Sequence, residues 1–135
     1  MAFTPINYEE GTVIEMSAAT EAFTKGEALT ISSGNVTAAS AGQGGEVFAV
    51  SMEAKTIATA GDPLKCIITR GVRFLADCDA APAQTDVGTV CDLASATTLD
   101  PDASTDDLFY IEQIFGKVAT STKVIGYFMH ENPNS

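Results

Sequence analysis

The sequence has no tryptophan, one histidine, three cysteines and only seven basic residues in 135 positions. Each shortage removes a class of chemistry. With His130 as the single imidazole, a Ser–His or Cys–His nucleophilic pair has one possible base, placed near the C-terminus, and no GxSxG elbow is present. Cys66, Cys78 and Cys91 form no CxxC pair, so a Cys/His zinc site lacks any usual ligand spacing. They read as buried free thiols of a protein made in a reducing compartment. The scarcity of aromatic side chains leaves little to wall a sugar-binding cleft between paired carboxylates. Seven Lys and Arg against 18 Asp and Glu give a net charge of −11 with no basic stripe, which repels nucleic-acid phosphates and anionic membranes alike. No apolar run approaches the roughly 18–20 residues of a membrane span, and Met1-Ala2-Phe3-Thr4-Pro5 has neither the basic nor the apolar region of a secretory signal.

Two motifs resemble ligand loops and fail on inspection. Gly42-Gln43-Gly44-Gly45 is followed by a strand pattern and not by Lys-Ser/Thr and a helix, so a flexible connection is expected and not a phosphate cradle. Asp100, Asp102, Ser104 and Asp106 alternate like the start of a calcium loop, but Thr105 stands where that loop needs glycine and Ile111 where it needs glutamate. A solvated acidic loop is the expectation, with no cofactor and no metal.

What is present reads as β-structure. A chain of 14.0 kDa folds to a surface of roughly 6,700 Å² by area scaling, enough for one real core. Residues 12–17 alternate, and Leu29-Thr30-Ile31-Ser32 turns through Ser33-Gly34-Asn35 into Val36-Thr37-Ala38 as a hairpin. Further strands are expected over 47–52, 89–93, 108–115 and 123–129. The strongest alternation puts Leu64, Cys66, Ile68, Val72, Phe74 and Ala76 on one side and Lys65, Thr69, Arg73 and Asp77 on the other, with Gly71 as a bend in one long strand. Helical periodicity is weak, leaving room for short turns near Ala18–Glu21 and Ala80–Gln84.

An internal repeat runs through this pattern. Val47-Phe48-Ala49-Val50 and Leu108-Phe109-Tyr110-Ile111 lie 61 residues apart, and the same offset carries Leu64–Ile67 onto Ile125–Phe128 and Ala28-Leu29 onto Thr89-Val90. The reading is an all-β fold: a small β-barrel or β-tulip-like domain over residues 12–129, built from two similar halves, roughly 12–78 and 79–129, that close a common barrel. Residues 1–11 form an N-terminal arm and residues 130–135 a loose C-terminal tail. The N-terminal segment, with Phe3, Pro5, Ile6 and Tyr8, has two readings, a first edge strand of the barrel or an arm laid on another chain. The arm reading expects removal of residues 1–8 to spare the fold. Between Arg73 and Lys117 stand nine carboxylates and no basic residue, which suits a face turned outward from a crowded assembly.

The run Val47-Phe48-Ala49-Val50-Ser51-Met52-Glu53, with Thr56, Leu64 and Gly71-Val72-Arg73-Phe74 to Asp77, resembles the strand pattern of tailed-bacteriophage head decoration proteins of the lambda type. The two-halved layout, opened by Lys25–Leu29 and again by Thr85–Gly88, is similar to a second family of short phage proteins that act as capsid decoration or head-fibre base proteins. The resemblance implies a structural, non-enzymatic virion protein on the outer capsid surface, made in the host cytoplasm. It would bind the major capsid protein as a homotrimer and stabilise the head by bridging capsomers, with Phe3, Pro5, Ile6 and Tyr8 as the capsid-binding arm. The competing expectation is an adhesion or fibre-anchoring module displayed on head or tail.

The alternation around Phe74 yields a direct test. Phe74→Asp places an unpaired charge in the core and is expected to abolish the β-type circular dichroism and the cooperative melt; a variant that melts like the wild type would break the assignment of faces.

Overall fold

The structure, a computed structural model, describes residues 2–41 and 46–130; the glycine-rich connection at 42–45 and the tail at 131–135 lie outside the described residues. The chain is nearly all β, as expected. In order the strands are β1 (Phe3–Pro5), β2 (Val13–Ser17), β3 (Ala22–Phe23), β4 (Ala28–Ser32), β5 (Asn35–Ala38), β6 (Ala49–Ser51), β7 (Lys55–Thr56), β8 (Pro63–Ile68), β9 (Phe74–Asp77), β10 (Val90–Ser95), β11 (Thr98–Asp100), β12 (Phe109–Ile114) and β13 (Lys123–Phe128). Short 3-10 turns occupy Tyr8–Glu10 and Gln84–Asp86. The molecular surface is 6601 Å², close to the area-scaling expectation.

Two sheets carry the fold. One has the order β2-β8-β6-β4-β5, the other β1-β9-β13-β12-β10-β11. Apart from β1, the two orders are the same: first strand, fifth, fourth, second, third. Each sheet then curls until its first and third strands meet, through parallel bridges Ala18↔Val36 and Cys78↔Leu99. The irregular hydrogen bonds repeat as well. Ala19 and Asp79 donate to the carbonyls of Val36 and Leu99 at 2.9 Å each. Gly26 and Gly88 donate to Ser51 and Ile111 at 2.8 Å each, and both glycines hold positive φ, 88° and 86°, where an L side chain is strained.

The repeat is therefore structural, with corrections to its register and closure. Ladder partners match Ala49 to Phe109 and Leu64 to Val124, 60 residues apart, and Ala28 to Val90, 62 apart, and not 61 in either case. Because side chains alternate across a sheet, a one-residue slip exchanges inner and outer faces. The apolar strands match in either register by composition, and only the pairing separates them. The halves also curl around separate cores and do not close a common barrel. Nor is there one long strand through Gly71. A turn closed by Val72 N–H to the Thr69 carbonyl (3.2 Å), with Gly71 at φ 79°, passes the chain from β8 in the first sheet to β9 in the second. By sheet membership the second half thus begins at Phe74.

The centre of the first sheet is buried on both faces. Leu29, Ala49, Leu64 and Cys66 point into its own core with Phe23 and Ile57. Ala28, Val50 and Ile67, one residue away on the same strands, belong to the second core with Phe74, Phe109 and Phe128. In that second core the Phe128 ring lies 5.0 Å from Phe3, 5.3 Å from Phe74 and 5.1 Å from Phe109, tilted or edge-on. Gly126 makes room for this packing, since a Cβ there would stand 2.7 Å from the Phe109 ring and collide with the Tyr110 carbonyl.

The N-terminal segment is an edge strand of its own chain. β1 pairs antiparallel with β9, Phe3 opposite Ala76 and Pro5 opposite Phe74. On its other side Phe3 N–H donates to the Gly26 carbonyl at 3.0 Å. Phe3 is fully buried. Removal of residues 1–8 therefore strips a strand and a core ring, and the expectation that the fold survives it is corrected. Phe3→Ala is expected to cost about 3–5 kcal/mol, read as a shift in the denaturant midpoint; a loss under about 0.5 kcal/mol, the size of a surface substitution, would show that the ring is not part of the core.

Candidate interaction surface

The four N-terminal residues singled out in the sequence part company in the structure. Phe3 is in the core, and Pro5 is half-buried in β1. The Tyr8 backbone opens a 3-10 turn, and its side chain lies outside what the structure describes. Among the three side chains described, Ile6 is the outward one, 49% exposed. Its mounting is firm: Ile6 N–H donates to the Arg73 carbonyl at 2.9 Å, and the Asn7 side chain accepts from Arg73 N–H at 2.7 Å. Ile6, Asn7, Glu9 and Glu10 border a hollow of about 200 Å³, and a second of about 100 Å³ lies among Gly71, Val72, Arg73, Tyr127, Phe128 and His130. Both fall below the roughly 300–1,000 Å³ of small-molecule pockets. Contact with a surface suits them better than enclosure of a ligand.

The outer face of the second sheet carries an aromatic and ion-paired patch that sequence reasoning missed. Tyr110 and Tyr127, paired across β12 and β13, stack at 5.2 Å with an interplanar angle of 21°. Arg73 lies 6.0 Å over the Tyr127 ring and reaches Glu112 with two nitrogens, at 2.8 and 3.2 Å. The hydrogen bond to Glu112, reinforced by its charge, pushes the Arg73 guanidinium further up, so it stays charged at any ordinary pH. Val90, Ile125 and Leu75 stand half-buried on the same sheet. The signal was the alternation itself, since Tyr110, Ile125 and Tyr127 take the outward phase once the register is set to 60.

The acidic stretch has an inner order. Asp92, 6% exposed, accepts backbone N–H groups of Thr105 (2.9 Å), Asp106 (2.8 Å) and Asp107 (2.8 Å), so its carboxylate folds the loop over 100–107 onto β10. Asp100 accepts from Asp102 N–H at 3.1 Å. Among the described residues no group of three or more Asp, Glu, His or Cys side chains is placed to share a cation.

All three cysteines are free and buried. Loss of hydration pushes the thiols of Cys66 and Cys78 up to about 12, with nearby carboxylates adding to the effect, and burial raises Cys91 too. A thiol with a raised pKa holds almost no thiolate at pH 8, and thiolate is the nucleophile. Iodoacetamide at that pH is expected to spare all three cysteines in the native protein and to modify all three in denaturant; a cysteine labelled in the native state as fast as the free amino acid would contradict this. Compared with known protein families and with curated proteins, the chain matches none.

Proposed function

We propose that this protein is a structural, non-enzymatic capsid decoration protein that binds the outer surface of a tailed-phage head, as a trimer, and stabilises it by bridging capsomers. The observation that carries the reading is Ile6, a large apolar side chain 49% exposed on a segment pinned by backbone and Asn7 hydrogen bonds, beside a strand anchored by Phe3 in the core. A rigid apolar anchor binds a protein surface with little ordering entropy to lose, and its burial contributes about 1.5–3 kcal/mol per site. Repetition over a symmetric shell multiplies that gain through effective concentration. The net charge of −11 keeps the remaining surface solvated. The resemblance to head decoration proteins supplies the partner, the major capsid protein, and the location. The pinned Ile6 modifies the arm picture, because the contact is then made by a fixed turn after β1 and not by a loose tail.

Purified protein added to expanded heads stripped of decoration is expected to bind in hundreds of copies and to raise the temperature at which the heads burst. Ile6→Asp is expected to lose that binding while melting like the wild type, since the side chain is already solvent-facing. Bare and decorated heads that burst at the same temperature would overturn the proposal.

A further inference from the structure

Three large apolar positions on the inner face of the first sheet are incompletely covered. Ile14 is 39% exposed, Ile31 46%, and Ile68 is half-buried. By ladder position their counterparts in the second sheet are Phe74, Leu93 and Phe128, which are 0%, 2% and 1% exposed. All six residues are apolar, so what differs is the cover. The mouth of the second sheet is closed by β1 with Phe3 and by the opposite face of the first sheet, whose Ala28, Val50 and Ile67 share that core. A backbone bond ties the seam, Ala28 N–H to the Ala96 carbonyl at 2.8 Å, at the tip of the β10–β11 hairpin. The equivalent tip in the first half, Ser33-Gly34, accepts no such bond among the described residues.

The second sheet carries the surface that would fit. The counterparts of Ala28, Val50 and Ile67 are Val90, Tyr110 and Tyr127, half-buried on its outer face. Sizes are exchanged between the two pairs of surfaces. Inside the chain, the small set Ala28, Val50 and Ile67 meets a mouth lined by Phe74, Phe109 and Phe128. At the open surfaces, the large set Val90, Tyr110 and Tyr127 would meet a mouth lined by the smaller Ile14, Ile31 and Ile68. Packed contacts tolerate best an exchange in which a larger side chain on one surface meets a smaller one on the other.

From this matched pair of surfaces we infer that copies of the chain join head to tail, the outer face of the second sheet of one copy seating on the open mouth of the first sheet of the next. The contact reproduces between chains the one already made within the chain. It is heterologous, so it closes a ring or extends a filament. Each copy carries −11, so the association strengthens as added salt screens the repulsion. The inference needs only the two halves of this chain and stands independently of the head-binding reading.

The test is sedimentation equilibrium of the full chain at high and low salt, with variants on each surface. Wild type is expected to form species of several chain masses at high salt. Ile31→Asp in the mouth and Tyr110→Asp on the face are each expected to be monomeric alone. Their equimolar mixture is expected to give a species of twice the chain mass, because one sound mouth and one sound face remain. A wild type that stays monomeric at high salt, variants that still assemble singly, or well-folded variants that stay monomeric when mixed would each overturn the inference. Ser33→Cys and Val90→Cys on separate chains supply a second readout that keeps Tyr110, Tyr127 and the isoleucines of the mouth in place. Mild oxidation is expected to link them in the mixture and not in either alone, and no link in the mixture would overturn it as well.

Discussion

The fold depends on the centre of the first sheet being buried on both faces. Strand pleating sends neighbouring residues to opposite sides, so Leu29 and Ala28, Ala49 and Val50, Cys66 and Ile67 serve two different cores from the same strands. Almost everything else follows from that division. It forces near-continuous apolar runs in the middle of β4, β6 and β8, where a sheet with one wet face would alternate. It seats the second half against the first without a linker domain between them. It also makes β1 part of the same core, because Phe3 lies where the two halves and the N-terminal strand converge.

The strands themselves were legible in the sequence. Alternation located β2, the β4–β5 hairpin, β6, β10, β12 and β13 to within a residue or two, and the start of β8, because half-buried and buried strands must show period-2 or apolar runs. The hairpin turn was legible for a related reason, although the positive φ values fall on Ser33 and Gly34 and not on Asn35. Short pieces were not legible. β3 and β7 have two residues each, and β11 three, too few for any periodicity. The break at Gly71 was hidden because the alternation resumes in phase after the turn, so Leu64, Cys66, Phe74 and Ala76 look like one face while lining two cores.

The interaction surface was only partly visible. Phe3, Pro5, Ile6 and Tyr8 were grouped by apolar character, which cannot tell a core ring from an exposed anchor, and pairing with β9 draws the line between Phe3 and Ile6. The Tyr110–Tyr127 face depended on the repeat register. At an offset of 61, Val50 aligns with Ile111 and the inner and outer faces of the second half trade places. At 60, Val50 aligns with Tyr110, and the aromatic pair emerges on the outside. The acidic loop was read as mutually repelling charge, whereas Asp92 organises it by collecting three backbone donors, a role that depends on contacts 13 to 15 residues away.

The claim that a shared sheet binds both halves and the N-terminal strand into one cooperative unit is tested most directly by native-state amide hydrogen exchange. The reporters are the Phe3 amide bonded to Gly26 and the Ala28 amide bonded to Ala96, measured beside amides in the centre of β12 and β13. The account expects all of them to exchange only through global unfolding, with the same free energy and the same denaturant dependence. Exchange of Phe3 or Ala28 through a separate, lower-energy opening would contradict it.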